Sequence, residues 1–511
     1  MESTFFVKLL QGKQDKEEVM EESDEMHTIS FISCFFVHLG FYILIFVGAL
    51  SALVRPPQLT REKNRVGYPP LYSRLETFVS LYLLGRLRDC LSNPICSVPG
   101  AEVVLKQRVF EKEGCISNFK FTGRRVKCIN MVSYNYLGFA ENCGGGSDFA
   151  IKAIYENGLS TGSTRLLYGS LDIHSELEKL TAEFLGVEDS LSCGMGFATN
   201  SLNLPVIISR ECLVLSDAKN HSSIILGAKI SGATIKVFKH NDVDHLELLL
   251  KEAVYYGQNR VGDYKPWKKI FIIVEGMYSM EGTFAPLPQI IALKKKYKAY
   301  LYVDEAHSIG AMGKSGRGVV EYYGCNPKDV DILMGTYTKS FGAAGGYIAG
   351  SKAFISHMRS NSYASKYAWS MSPPVAAHIV GVLKILMQMD GTTIGQTRLS
   401  TMARNTKYFR LKLRQMGLII YGCEDSPVVP ILCYFYSKMA AMVRNLREHK
   451  VAVVGAGYPA TPFLEGRLRI CISACHTKEQ LDYVLEVIAK ASNEFGLFYS
   501  KLPRSNRFIE Y

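Results

Sequence analysis

The stretch Ala299-Tyr300-Leu301-Tyr302-Val303-Asp304-Glu305-Ala306-His307-Ser308 is a continuous apolar and aromatic run that stops abruptly at charge. Such a run, without polar alternation, reads as a strand buried on both faces, the habit of parallel sheets. Ile270-Phe271-Ile272-Ile273-Val274 repeats the pattern and ends at Glu275, and Ile332-Leu333-Met334 leads into Thr336 and Lys339. Open α/β sheets gather functional groups just beyond the carboxyl ends of their strands. Glu275 to Ser279, Asp304 to His307 and Thr336 to Lys339 are therefore expected to border one crevice. From about Asn130 these runs alternate with helical patterns, the mark of an α/β domain. After about Gly381 helices and shorter strands point to a smaller C-terminal domain.

The crevice has a distinct chemistry. Lys339 lies in Thr336-Tyr337-Thr338-Lys339-Ser340-Phe341-Gly342, flanked by small hydroxyl residues and glycine. A lysine so placed, with Asp304 upstream, suits an aldehyde cofactor held as a Schiff base, the carboxylate keeping its ring nitrogen protonated. Pyridoxal phosphate is that cofactor. Gly194-Met195-Gly196-Phe197-Ala198-Thr199-Asn200 opens a helix after Ser190 to Cys193, read as a turn, and its N–H groups suit a phosphate. A dinucleotide-binding turn is the competing reading, but Thr199 replaces its third glycine and no strand is expected before it. His221, in a loop after the apolar run Cys212 to Leu215, could stack on a flat cofactor; a lone histidine is more often structural. Asn220-His221-Ser222 also matches a glycosylation sequon, set aside because the site is expected inside a cytosolic cleft.

The chain of 511 residues, 48% hydrophobic and 21% charged, is long enough for two domains plus extensions. Its net charge of +12 is dispersed, so no nucleic-acid module is expected. The thirteen cysteines are scattered and form no Cys-x-x-Cys pair, which excludes a disulfide framework and points to no metal site. Ile29 to Val54 holds no Lys, Arg, Asp or Glu and suffices to cross a bilayer. Acidic residues precede it (Glu17 to Glu25) and Arg55, Arg61, Lys63 and Arg65 follow, so the positive-inside rule puts the body in the cytosol. Tyr68 to Leu91 reads as an amphipathic helix able to lie on a membrane or a partner. The expected divisions are an acidic tail (1–28), a transmembrane helix (29–54), an extension (55–129), a large cofactor-binding domain (130–380) and a small C-terminal domain (381–511).

Val303 to Gly310, then Gly313 and Gly316-Arg317-Gly318, together with Thr336 to Gly346, resemble the α-oxoamine synthases. Ser133-Tyr134-Asn135-Tyr136-Leu137-Gly138, Gly276 to Gly282, Met371-Ser372-Pro373-Pro374 and Gly457 to Pro462 resemble, within that family, the lysine-bearing long-chain-base subunits of the serine palmitoyltransferases. The resemblance runs from about Pro69 to about residue 490. It implies an aspartate-aminotransferase-like fold and a decarboxylating condensation of L-serine with a long-chain acyl-CoA, giving 3-ketodihydrosphingosine. It further implies that Lys339 carries the cofactor, Asp304 binds the pyridine nitrogen, His221 stacks on the ring and His307 neighbours the phenolic oxygen or the substrate carboxylate. Thr336, Gly196 and Phe197 would hold the phosphate, Ser279 and Asn135 would line the amino-acid side, and Arg469 would anchor a carboxylate. A heterodimer with the lysine-lacking subunit 1, small regulatory membrane subunits and the endoplasmic reticulum membrane are implied as well. One departure stands out: Ser163-Thr164-Arg165 is followed by Leu166, where the pattern has histidine. Other α-oxoamine synthases, such as 5-aminolevulinate synthase, and a silent scaffold subunit are the alternatives.

Overall fold

The computed structural model describes residues 31–54, 78, 82, 87–111, 119–258, 264–458, 460–462, 464–500 and 509–511. The acidic tail, the four basic residues after Val54, most of the Tyr68 to Leu91 stretch and Pro459 lie outside them. Strands are numbered in chain order: β1 (Glu102–Phe110), β2 (Phe119–Asn130), β3 (Asp189–Cys193), β4 (Cys212–Asp217), β5 (Thr234–Phe238), β6 (Lys269–Glu275), β7 (Tyr300–Asp304), β8 (Ile332–Thr336), β9 (Gly346–Gly350), β10 (Val428–Tyr434), β11 (Val451–Ala452), β12 (Val454–Ala456) and β13 (Gly466–Cys471).

Seven of them form the central sheet in the order β3-β9-β8-β7-β6-β4-β5. From β8 to β5 every neighbour is parallel, while β9 runs antiparallel to both β8 and β3. The apolar runs are continuous because both faces are covered. Leu213, Leu215, Ile272, Val274, Leu301 and Val303 belong to one core, and Val214, Phe271, Ile273 and Tyr302 to the other. Parallel register sets Glu275 directly opposite Asp304, so both carboxylates leave the sheet at one edge.

One expectation is corrected. Ser190 to Cys193 is strand β3, not a turn, because its hydroxyls are satisfied by Glu178: Ser190 Oγ donates to the Glu178 carbonyl and Ser192 Oγ to Oε1. A strand therefore does precede the glycine loop. It pairs antiparallel with β9 at the sheet edge remote from β4, so no parallel β-α-β dinucleotide unit starts there.

Past the long helix Ile394–Gln415, β10, β13 and β12 make an antiparallel sheet backed by helices Tyr436–Glu448 and Lys478–Phe495. The hairpin β1–β2 is joined to this region through β11, which runs parallel to β2. Helix α1 (Phe31–Val54), about 36 Å long at 1.5 Å per residue, has a mean hydropathy of 2.2 in its most apolar window. Among the described residues it alone is long and apolar enough to cross a bilayer. Most of its large side chains are exposed, while Val37 packs with Ile419, Leu432 and Tyr434.

Candidate active site

Three strand ends and two helix starts converge at the carboxyl edge of the sheet. Asp304, the last residue of β7, is buried. Its Oδ2 accepts from Asn200 Nδ2 at 2.7 Å and its Oδ1 from the Ala306 N–H at 2.8 Å. Asn200 is itself fixed: its Oδ1 accepts from Tyr302 OH at 2.6 Å, and Nδ2 also reaches Ser223 Oγ at 2.9 Å. Ser223 Oγ lies 2.7 Å from His221 Nδ1, so a hydrogen-bond chain runs from His221 to Asp304. His221 caps helix Ser222–Ile230, and its own N–H donates to Glu275 Oε1 at 2.5 Å.

Charge and burial oppose each other here. Glu275 is held well above the usual carboxylate range, first by burial and then by the negative Asp304 beside it. Burial also lowers His221, with Asp304 pulling the other way, and lowers His307 still further, with the positive Lys339 and Arg469 adding to the effect. Lys339 lies in the loop after β8, partly shielded. Desolvation brings its amine down to about 8 although Asp304 and Glu275 favour the charged form.

Tyr134 is the hub on the opposite wall. Its ring lies 5.8 Å from Lys339 Nζ, 4.2 Å beneath the Arg469 guanidinium, and 4.8 Å edge-on to the His307 ring. Arg469 Nη1 donates to Tyr134 OH, while Nε meets no oxygen acceptor. Tyr136 OH is 2.8 Å from His307 Nδ1, which leaves His307 Nε2 for the cleft. Burial raises the phenols of both tyrosines. Arg469 enters from β13 of the C-terminal sheet, so the cleft lies between the two sheets.

Helix Gly196–Ile207 starts beside this cluster without a side-chain cap, its N-cap being Met195. Its first-turn N–H groups are thus available to an anion. A Cβ at Gly196 would come 2.6 Å from Thr336 Oγ1, so only glycine lets helix start and β8 end approach this closely. Thr336 Oγ1 donates to the Gly345 carbonyl at 2.8 Å, and the Phe197 ring is 5.9 Å from that of His221. Ser279 sits in the turn after β6. Asn135 is spent on the backbone: Nδ2 donates to the Pro99 carbonyl at 2.9 Å and Oδ1 accepts from Ala140 N–H at 3.2 Å.

Residues 126–488 match the aminotransferase class I and II family. Serine palmitoyltransferase 2 of Caenorhabditis elegans is 52% identical over 421 residues, covering 82% of this chain and 75% of that protein. Serine palmitoyltransferase 3 of Homo sapiens is 49% identical over 480 residues, covering 92% and 86%. The chain belongs to the class I and II aminotransferases, in their serine palmitoyltransferase branch. The fold agrees: a serine palmitoyltransferase from S. paucimobilis, solved with PLP and myriocin bound, is 26% identical with a TM-score of 0.71, covering 83% of this chain and 100% of that one.

For an aminotransferase-type site, the donors present fit a pyridoxal phosphate. A buried carboxylate with fixed orientation, an amine brought near neutral pH, an uncapped helix start and a glycine cradle converge at one sheet edge. Lys339, Asp304, His221, His307, Thr336, Gly196, Phe197 and Arg469 all border that cleft. Sequence reading passed over Asn200, Tyr134 and Tyr136 as site members, and placed Glu275 at the crevice without giving it a role. Each stood inside a motif it had singled out, but only through-space partners reveal what they do.

Proposed function

We propose that this chain is the catalytic, lysine-bearing subunit of a serine palmitoyltransferase, condensing L-serine with a long-chain acyl-CoA to 3-ketodihydrosphingosine, with loss of CO2 and release of CoA. The observation that carries the reading is Lys339 at the carboxyl edge of the sheet, its amine brought to about 8 and under the electrostatic influence of Asp304, in a chain about half identical to proteins of that name. Bound pyridoxal phosphate supplies an electron-poor ring that takes up the charge left when a bond to the amino-acid Cα breaks.

The residues supply the rest. Lys339 Nζ, neutral for a substantial fraction of the time near pH 8, holds the cofactor. With serine bound, the same amine would be the base placed to take the Cα proton. Asp304, locked by Asn200 and the Ala306 N–H, would hold the cofactor's ring nitrogen in its protonated form. His221 and His307 would flank the ring, and Gly196, Phe197 and Thr336 would hold the phosphate. Arg469, steered by Tyr134, receives the serine carboxylate, with Ser279 on the same side. Asn135 shapes that wall through the backbone segments it ties together.

The partner we propose is the lysine-lacking subunit 1. Supporting this, Leu159, Leu167, Tyr168 and Trp369 are each at least two-thirds exposed, and Thr164 bridges to Trp369 beside the glycine loop. Leu166, the departure from the family pattern, lies in this patch, whereas Arg165 turns inward onto Glu178 at 2.7 Å. Helix α1 supports single-pass attachment to the endoplasmic reticulum membrane with the body in the cytosol, and small regulatory membrane subunits would meet its exposed faces. The test is co-expression with subunit 1, several amino acids and acyl-CoAs offered, and products read by mass spectrometry. The long-chain 3-keto base is expected and should vanish in Lys339→Ala; aminolevulinate or aminoketobutyrate alone would overturn the assignment.

A further inference from the structure

The hairpin β1–β2 departs from the charge economy of the remaining molecule. Its base is anchored, with Val103, Leu105 and Cys128 packed with Ala452 in a small core. Beyond Leu105 it is held to residues 92–94, through the Lys106 N–H on the Pro94 carbonyl at 2.9 Å and Arg108 Nη2 on the Ser92 carbonyl, yet nearly every residue from Lys106 to Phe110 and from Lys120 to Arg125 is exposed. The two strands carry six cations against one carboxylate, Glu102. Lys127 pairs with Glu102, and Arg108 lies over the Phe119 ring at 4.1 Å. The other four, Lys106, Lys120, Arg124 and Arg125, have no ion-pair partner among the described residues. Lys106 and Arg125 even stand directly opposite each other in the ladder, where like charges are destabilising.

The outer strand ends are apolar as well as basic. Val109, Phe110 and Phe121 are 48%, 37% and 56% exposed, and the Phe110 and Phe119 rings lie 4.8 Å apart. Exposed aromatics flanked by unpaired cations form the amphipathic pattern of a segment seated at a lipid interface. Unpaired lysines and arginines spread along both strands are point charges without a fixed receptor shape. They match the diffuse negative field of an anionic membrane better than one shaped acidic partner.

We propose that the outer half of the β1–β2 hairpin is a membrane-contact arm that docks on anionic lipid headgroups, the aromatic residues of its outer strand ends entering the interface. It would act as a second hold on the bilayer, apart from α1, and fix how the catalytic body tilts over the lipid surface. The inference rests on the membrane attachment proposed above, and the experiment separates the two.

The full chain, with and without its partner subunit, is placed in nanodiscs of phosphatidylcholine alone or phosphatidylcholine with phosphatidylserine, and backbone hydrogen exchange is followed by mass spectrometry. Exchange across 106–110 and 119–125 should slow roughly tenfold in the anionic discs only, and the protection should fade as salt is raised. The triple variant Lys120→Glu/Arg124→Glu/Arg125→Glu should lose it, and Phe121→Ser should weaken it while keeping the charges. All these positions are exposed and lie outside the cleft, so cofactor absorbance serves as the check on folding. Equal exchange in the two lipids overturns the proposal, as does protection that needs only the partner subunit in neutral discs. A failed anchor looks different, because the chain would then leave the disc fraction altogether.

Discussion

The carboxyl edge of the central sheet and the outer half of the β1–β2 hairpin both concentrate charge, and they use it in opposite ways. At the sheet edge Glu275 faces Asp304, with Lys339 close to both, in surroundings where water cannot screen them. Burial there converts proximity into shifted proton affinities, and each group is held by named partners. On the hairpin, Lys106 and Arg125 face each other in water, where repulsion is screened and costs little. Dielectric rather than charge count therefore separates a site built for chemistry from a surface built for adhesion. Altering charge should accordingly change rates at the first region and barely touch them at the second.

The largest effect is expected at Lys339. Lys339→Ala should reduce turnover by about 10⁴-fold or more, because both cofactor attachment and the proton shuttle disappear. Steady-state product formation by the complex is the measurement, and a residual rate near one-tenth would show that another base carries the step. Asp304→Asn should follow at about 10²- to 10³-fold, with the cofactor still captured but its visible band shifted. An unchanged rate would mean that the ring proton is held without this carboxylate.

How much of this contrast the sequence displayed depends on the range of the interaction. The apolar runs ending at Glu275 and Asp304 were readable because burial on both faces leaves a local signature. Lys339 was readable from its hydroxyl and glycine neighbours and from the spacing to Asp304. Asn200 was not: its meaning comes from Tyr302 and Asp304, a hundred residues away in the chain but on adjacent elements. Tyr134 likewise becomes a hub only when β13 brings Arg469 over its ring. Ser190 to Cys193 was misread because two serines in four residues mimic a turn until Glu178 satisfies them. The long apolar helix Phe31–Val54 was plain from composition. The family, and with it the reaction, came from motifs rather than from physical pattern.

Two subtler predictions probe the buried side. The rate at which the cofactor-free enzyme captures pyridoxal phosphate should rise with pH and level off just above pH 8. Attack requires the neutral amine of Lys339, whose proton is lost near 8 rather than at the ordinary lysine value. Stopped-flow absorbance measures it, and a rate still climbing at pH 10 would show the amine is not desolvated. Asn200→Ala should then cost about tenfold in turnover, the scale of one hydrogen bond to a buried charge. It should also move the pH dependence of the cofactor band, whereas a merely structural role would leave that titration in place.

The smallest effect belongs to the hairpin and comes with the opposite sign. Arg125→Glu places a carboxylate across from Lys106 and turns a repulsive cross-strand pair into an attractive one. The gain should be about 0.5 kcal/mol, a rise of a degree or two in Tm by calorimetry, with turnover in detergent unchanged. A substitution that stabilises the fold while stripping charge from the arm would show that Arg125 is kept at the expense of local stability. Such a residue is retained for what it touches outside the chain. A fall in Tm would instead mean that Arg125 is needed by the fold, and the contrast between the two charged regions would lose its basis.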